Sequence, residues 1–262
     1  MNASPQCRLC GGATRKLFEK TLLGRAVGYH QCAGCGLTQT DEPTWLGEAY
    51  ARSALHVTDT GVLARNLAAM RIAGTFLHLS GVRDEPCLDW ASGWGVFVRL
   101  MRDAGFRFYC MDPYAESVVA RGFDWSDALG RPRACTAFEV LEHLPRPRET
   151  FAALAARGAQ WIVTSTELPP GGTPSPDWQY LSTESGMHVA FYRPDTLERL
   201  GREHGYPHVI AGPYYQVFSR TPFPRWRWHV AMRAGALLFP LLRRSRRSLT
   251  QDDHDLLRSR PE

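Results

Sequence analysis

Residues 87–95, Cys87-Leu88-Asp89-Trp90-Ala91-Ser92-Gly93-Trp94-Gly95, join a short apolar run to a second apolar run through a glycine-rich turn. A chain that must reverse so sharply uses glycine, which adopts left-handed backbone conformations at little steric cost. The residues after the turn (Val96, Phe97, Leu100, Met101) recur at helical spacing, so the pattern predicts strand, turn, helix. An acidic residue closes the next strand-like run, Phe108-Tyr109-Cys110-Met111-Asp112-Pro113. Asp112 lies 23 residues after Asp89, the span of one strand–helix–strand passage.

The same rhythm continues. Strands are expected at Cys87–Ala91, Phe106–Met111, Ala134–Phe138 and Trp161–Ser165, with helices at Val96–Ala104, Glu116–Arg121 and Arg148–Arg157. A helix over Val62–Leu79 precedes them, where Leu63, Leu67, Met70, Phe76 and Leu77 repeat at helical spacing. Residues 167–190 read as a Pro/Gly/aromatic insertion. A helix over Pro194–His204 and strands at His208–Ile210 and Tyr214–Ser219 follow it. This alternation predicts an α/β fold with a Rossmann-like, mostly parallel sheet and helices on both faces.

Ahead of that region stand Cys7-Arg8-Leu9-Cys10-Gly11 and Cys32-Ala33-Gly34-Cys35-Gly36, with 21 residues between Cys10 and Cys32. Two CxxC turns supply four thiolates, the donor set of a closed, structural zinc site. Disulfides fit a reducing compartment poorly. A thioredoxin-like redox pair would present one CxxC opening a helix. Cys7, Cys10, Cys32 and Cys35 are therefore the expected ligands of Zn2+. Cys87, Cys110 and Cys135 sit in apolar strand-like segments, where a free thiol acts as a small hydrophobe. No secretory leader and no stretch of membrane-spanning length is read, so a cytoplasmic setting is expected.

With Asp89, Gly93, Gly95 and Asp112 in this register, the chain resembles the class I S-adenosylmethionine-dependent methyltransferases. Their Asp-x-Gly-x-Gly-x-Gly motif stands here as Asp89-Trp90-Ala91-Ser92-Gly93-Trp94-Gly95, with Ala91 at the first glycine position. A second likeness is Glu139-Val140-Leu141-Glu142-His143, which follows the fourth strand of many members. The resemblance implies S-adenosylmethionine as donor, held by Asp89, Ala91, Gly93, Gly95, Asp112, Pro113, Phe138 and Glu139. A carboxylate at Asp112 suits the ribose hydroxyls of an adenosine. NAD binding expects a wider Gly-x-Gly-x-x-Gly turn, which is absent. The four-cysteine module in front resembles zinc-containing deoxysugar, natural-product and polysaccharide methyltransferases. The segment Gly186-Met187-His188-Val189-Ala190-Phe191-Tyr192-Arg193-Pro194 is similar to one that carries a His in those relatives. The organisation expected is a zinc-binding module (1–40), a connection and first helix (41–80), a donor-binding methyltransferase domain (81–220), and a C-terminal apolar and basic helix with its tail (221–262).

Methyl transfer to a hydroxyl or enolisable carbon also needs a base. His188 is the first candidate and His143 the second, with Glu142 to orient it. Trp178, Tyr180, Phe191 and Tyr192 are candidates for pocket walls or core. The expected acceptor is a small molecule, such as a sugar, glycan or other metabolite. Amino-methyltransferases of nucleic acids show Asn/Asp-Pro-Pro-aromatic where this chain reads Phe138-Glu139-Val140-Leu141, which argues against nucleic acid. The alternatives are a ribosomal RNA methyltransferase with a zinc module, and a non-catalytic zinc-bearing scaffold.

Charge is uneven. Nine arginines after Arg220 face Asp252, Asp253, Asp255 and Glu262, a surplus equal to the whole chain's net charge of +5. From Trp226 an apolar helix with arginines at its ends is expected, bent or ended at Pro240. Two placements compete: a helix docked on the fold or on a second subunit, and a peripheral membrane contact through residues 225–247. The first is the favoured expectation, because terminal helices commonly dock.

Overall fold

The computed structural model describes residues 5–52 and 59–259. In chain order the elements are β1 (Thr14–Leu22), β2 (Arg25–Cys32), β3 (Thr38–Thr40), α1 (Leu46–Arg52), α2 (Val62–Leu79), β4 (Cys87–Trp90), α3 (Val96–Asp103) and β5 (Phe108–Met111). Then come β6 (Ala134–Phe138), α4 (Pro147–Ala156), β7 (Trp161–Ser165), β8 (Ala190–Phe191), α5 (Pro194–Glu203), β9 (His208–Ala211), β10 (Tyr215–Ser219), α6 (Trp226–Leu242) and α7 (Thr250–Arg258). The mixed α/β architecture with a mostly parallel strand set agrees with the sequence expectation. The chain divides into two compact units, and β7 runs through the division.

The first unit comprises residues 1–59, 139–156 and 164–221. Its four-stranded antiparallel sheet has the order β1-β2-β3-β8. Leu23 and Gly24 both take positive φ in the two-residue turn joining β1 to β2, the geometry that suits the twist of a hairpin. Pairing of Thr38 with Phe191 and Gln39 with Ala190 ties the end of the aromatic insertion to the cysteine-bearing sheet. Leu22, Val27, Tyr29, Trp45, Ala49, Leu181, Val189 and Phe191 form the core of this unit. The unit also holds the last two residues of β7 and the antiparallel pair β10-β9.

The second unit comprises residues 60–138, 157–163 and 222–262. Its strands run β5-β4-β6, parallel throughout, followed by the first three residues of β7. The α2 sequence is rich in Ala and Leu, which lose little side-chain freedom in a helix. Beyond it, Gly81 takes φ 79° and the Val82 N–H returns to the Leu77 carbonyl, closing the C-terminus. Phe76 on α2 meets Trp161, Phe223 and Trp228 edge-to-face, with ring centroids 5.1, 5.9 and 5.3 Å away. The docked placement of α6 is the one found: Trp228, Ala231, Gly235 and Phe239 form its buried face. Gly74 and Gly235 allow close approach, since a Cβ on Gly74 would overlap the Phe239 ring and one on Gly235 would stand 3.1 Å from the Arg71 carbonyl. Beyond α6, the buried Asp253 carboxylate accepts from Arg102 Nε and Nη2 at 2.8 and 2.5 Å and from Arg99. Removing one partner of such a buried pair leaves an uncompensated charge.

Four sequence expectations differ from the fold. The connection expected between residue 41 and the helix at Val62 holds a helix of its own: 46–52 are α1, because Trp45 and Ala49 are buried in the first unit's core. Residues 53–58 of that connection lie outside the described residues. No helix forms over Glu116–Arg121. Its backbone donors are taken elsewhere: Val118 and Val119 N–H donate to the Trp94 carbonyl, and Ala120 N–H to Ser117 Oγ. Of the two outcomes expected at Pro240, a bend or an end, the end is not found: α6 continues to Leu242 with Pro240 on its exposed side. The strand expected from Phe106 begins at Phe108.

Candidate active site

Each functional cluster belongs to one unit. In the second unit, β4 carries Asp89 into the core, where Thr136 on β6 donates its hydroxyl to Asp89 Oδ1 at 2.5 Å. Burial pushes the Asp89 carboxyl up to about 7, the nearby Asp112 charge adds to the rise, and the Thr136 hydrogen bond opposes it. The turn after β4 has φ values of 56° at Ala91, 53° at Gly93 and 80° at Gly95. Ala91 therefore sits where glycine is the ordinary choice. Gly95 is tightly enclosed, since a Cβ there would overlap Ser117 Oγ and lie 3.0 Å from Ala120 Cβ. Gly93 is open, with nothing within 4 Å of the position its Cβ would take.

Asp112, at the end of β5, holds this turn. Its Oδ2 accepts from the Gly93 N–H at 2.8 Å, and its Oδ1 accepts from the N–H groups of Tyr114 and Ala115 at 2.8 and 3.0 Å. A carboxylate offers about four acceptor positions, so three hydrogen bonds to backbone leave room for a ligand hydroxyl. Asp112 also lines a cavity of about 490 Å³ with Ser92, Ser117, Asp124 and Trp125 among its walls. Of the residues expected to bind the donor, Asp112 lines this cavity. Asp89, Gly93 and Gly95 shape the turn beside it, and Pro113 is exposed on the loop that follows. Asp124 and Trp125 were not singled out from the sequence. Their only signal is a short aromatic run, Phe123-Asp124-Trp125. It becomes meaningful when the Cys110 N–H donates to the Phe123 carbonyl and the Trp125 N–H to the Cys110 carbonyl. Phe138 ends β6 with its ring 4.8 Å from that of Phe97.

In the first unit, Glu139 takes φ 53°, uncommon for a residue with a Cβ. Ser165 holds it: the Ser165 hydroxyl donates to Glu139 Oε1 at 2.6 Å, and the Glu139 N–H points back at Ser165. The short helical turn Leu141–His143 buries Glu142 completely. Tyr180 donates its hydroxyl to Glu142 Oε1 at 2.7 Å, and Glu142 Oε2 has no partner. Burial, reinforced by the Glu139 charge, pushes the Glu142 carboxyl up to about 8. Glu142 Oε1 is 4.0 Å from His143 Nε2, beyond hydrogen-bond reach. Glu142 is thus fixed by Tyr180 and does not orient His143.

The same tyrosine orients His188. A carbonyl oxygen only accepts, so the 2.6 Å contact between His188 Nδ1 and the Tyr180 carbonyl makes Nδ1 the proton-bearing nitrogen. The rings of Tyr180 and His188 lie 4.5 Å apart, and those of His188 and His143 4.9 Å apart and nearly perpendicular. Burial, with His188 adding to it, pulls His143 down to about 3, so it is neutral at physiological pH. Ligand-type atoms of Glu142, His143 and His188 all fall within 4.8 Å of one another. Among the wall candidates, Trp178 Nε1 donates to Glu167 at 3.1 Å. Phe191 is core, and the buried Tyr192 donates its hydroxyl to the Leu141 carbonyl.

The four N-terminal cysteines converge in the same unit. Cys7 and Cys35 Sγ are 3.5 Å apart, Cys10 and Cys32 Sγ 3.4 Å, and all four lie within 4.8 Å. Disulfide sulfurs would stand about 2.05 Å apart, and all four thiols are free. Sulfurs around a tetrahedral zinc, at about 2.3 Å from the ion, would be about 3.8 Å apart. Gly11 and Gly36, the residues after each CxxC, take φ 72° and 77°, and the Gly34 N–H donates to Cys32 Sγ at 3.3 Å.

The second unit thus combines a parallel strand set, a left-handed turn after β4 and a carboxylate closing β5. A family model described as a methyltransferase domain matches residues 63–209, more than half of the chain, and the chain belongs to that family. It is an enzyme of the methyltransferase type. No curated protein matches the chain. Among solved structures it is similar to magnesium protoporphyrin IX methyltransferase from Synechocystis PCC 6803 with bound S-adenosylhomocysteine, at 13% identity and TM-score 0.41, covering 67% of this chain and 94% of that one. It is similar to a SAM-dependent methyltransferase from Thermotoga maritima at 7% identity and TM-score 0.48, covering 67% and 100%. It is also similar to an O-methyltransferase family protein from Burkholderia thailandensis at 13% identity and TM-score 0.44, covering 70% and 69%.

Replacing Ala91 by glycine should stabilise the protein by about 0.5–1 kcal/mol. A left-handed conformation costs a residue with a Cβ about 1–2 kcal/mol, and the freer unfolded chain returns about 0.4–1. Urea unfolding of the two proteins measures this. A midpoint lowered by Ala91→Gly would contradict the left-handed turn.

Proposed function

We propose that the protein transfers a methyl group from S-adenosylmethionine to a small-molecule acceptor, a sugar, glycan or natural-product precursor, with His188 as the base. The hydrogen bond from His188 Nδ1 to the Tyr180 carbonyl carries this reading. In the neutral ring this leaves the lone pair on Nε2, the atom that would take a proton from an acceptor.

The donor supplies an electrophilic methyl on a cationic sulfur. The residues of the second unit fit it: Asp112 has acceptor capacity left for a ribose hydroxyl, and Gly93 leaves the space that a Cβ would fill. Trp125 offers a face for an adenine ring, and Asp124 an acceptor for its amino group. Asp112 places a carboxylate in the unit that would receive a cation. The acceptor's nucleophile forms the new bond to carbon as the sulfur–methyl bond breaks and its electron pair stays on sulfur. The acceptor's proton goes to His188 Nε2. The chain's task is alignment and exclusion of water. Glu142, with its carboxyl raised to about 8, and His143, held neutral, add no full charge beside the histidine at neutral pH. His143 is the second candidate for the base.

The four cysteines fit a structural Zn2+ with no open position, which would brace the sheet that β8 joins. A peripheral membrane contact through residues 225–247 belongs to the same reading, since a lipid-linked acceptor would lie at such a surface.

Reduced, purified protein should hold about one zinc per chain by metal analysis. Cys10→Ser should lower metal content and stability together, because structural zinc binding is coupled to folding. Zinc-free protein of unchanged stability would remove the metal from the account. His188→Ala should leave the affinity for S-adenosylhomocysteine unchanged and cut transfer of labelled methyl into pooled sugar and metabolite acceptors by about 10²–10³-fold. Transfer that survives His188→Ala but collapses in His143→Ala would move the base to His143.

A further inference from the structure

Among the described residues, no helix is long and apolar enough to cross a membrane. The outward face of α6 is nevertheless unusual for a docked helix. Trp226, Arg233, Leu237 and Leu241 stand seven, four and four residues apart, so they share one face, opposite to Trp228, Ala231, Gly235 and Phe239. On that outward face Trp226, Leu237 and Leu241 are 55%, 78% and 57% exposed. A helix with one face on a core ordinarily turns polar residues outward. Here the exposed residues are Trp226, His229, Arg233, Ala236, Leu237, Pro240 and Leu241, so three large hydrophobics face outward and no acidic residue does.

The charge around them has one sign. Between Pro222 and Gln251 the sequence has no Asp or Glu and seven arginines. Arg246 is spent on the carbonyls of Val82, Arg83 and Gly105, and Arg247 on Asp252. Arg227 is half-buried, 5.9 Å from the Trp226 ring centroid, and Arg225, Arg233, Arg243 and Arg244 are exposed. Arg225 stands beside the tryptophan at the start of the stripe, Arg233 interrupts it, and Arg243 and Arg244 follow its last leucine. Arginines alone would suit any polyanion. Two leucines exposed between them gain nothing from phosphates in water, but gain from leaving water. Tryptophan favours the headgroup level, where one side is apolar and the other wet.

We propose that the outward face of α6 is a docking surface for an anionic lipid membrane, with Trp226, Leu237 and Leu241 entering the headgroup boundary and Arg225, Arg243 and Arg244 on the lipid phosphates. This rests on the reading of residues 225–247 as a peripheral contact and narrows it to one helix face and one lipid charge. The buried face stays on α2, so docking requires no unfolding of the second unit.

Flotation of the full-length protein tests this, with phosphatidylcholine vesicles containing either no charged lipid or about 30% phosphatidylglycerol. Wild-type protein should float with the anionic vesicles at about 0.1 M salt, stay down with the neutral ones, and be released at about 1 M salt. Leu237→Glu with Leu241→Glu should abolish flotation. Arg243→Ala with Arg244→Ala should weaken partitioning about thirtyfold, at about 1 kcal/mol for each cation near the surface. These side chains point outward, so near-ultraviolet circular dichroism and thermal midpoint should match wild type. Failure to float, equal flotation of wild type and the double-glutamate variant, or equal binding to neutral vesicles would overturn the proposal. So would a wild-type dimer that the glutamates dissociate, or retention on RNA in place of vesicles. S-adenosylhomocysteine binding measured on the same samples separates the two readings: intact binding without flotation rejects the membrane surface and leaves the methyltransferase reading standing.

Discussion

The carboxylate of Asp112 fixes the turn after β4 and the loop after β5. Three backbone N–H groups converge on it, from Gly93 at the turn and from Tyr114 and Ala115 beyond β5. Hydrogen bonds to an ionised group contribute more than neutral ones, about 1.5–3 kcal/mol each. They offset a backbone that is left-handed at Ala91, Gly93 and Gly95. The same loop uses Ser117 and the Trp94 carbonyl to satisfy N–H groups that a helix would have paired internally. One acidic side chain thereby shapes the turn, sets the loop after β5 and still faces the cavity.

Tyr180 does comparable work in the first unit with two different atoms. Its hydroxyl donates to a fully buried carboxyl, and its carbonyl fixes the protonated nitrogen of His188. An unpaired buried polar group is costly, so the insertion that carries Tyr180 is tied to the Glu142 segment. The Val189 N–H adds to this by donating to the Glu142 carbonyl at 2.8 Å. The insertion then enters the cysteine-bearing sheet through β8. A zinc site at Cys7, Cys10, Cys32 and Cys35 would thus act on His188 through the stiffness of one sheet, without taking part in chemistry.

Much of the α/β rhythm was legible because local periodicity and tertiary burial agree there. The bounds of α2, β6 and β7 coincide with those read from the sequence. The segment Glu116–Arg121 was misread for a physical reason. Its composition allows a helix, but its backbone donors are captured by Trp94 and Ser117, partners that only the fold brings near. The cysteine cluster was legible because CxxC spacing carries its own geometry. The role of Asp112 in bracing the turn was not, since a carboxylate's backbone partners leave no mark on composition. Tyr180 was visible only as one aromatic among several in an irregular stretch. Its two contacts, eight residues apart to His188 and thirty-eight to Glu142, have no periodicity to betray them.

The central claim is that the Asp112-braced turn holds the methyl donor. Isothermal titration of the full-length protein with S-adenosylhomocysteine tests it most directly. The account predicts one site per chain, and Asp112→Ala should weaken binding by about 1.5–3 kcal/mol, the loss expected for hydrogen bonds to a charged group. Absence of binding by the wild-type protein at millimolar ligand, or an affinity untouched by Asp112→Ala, would contradict it.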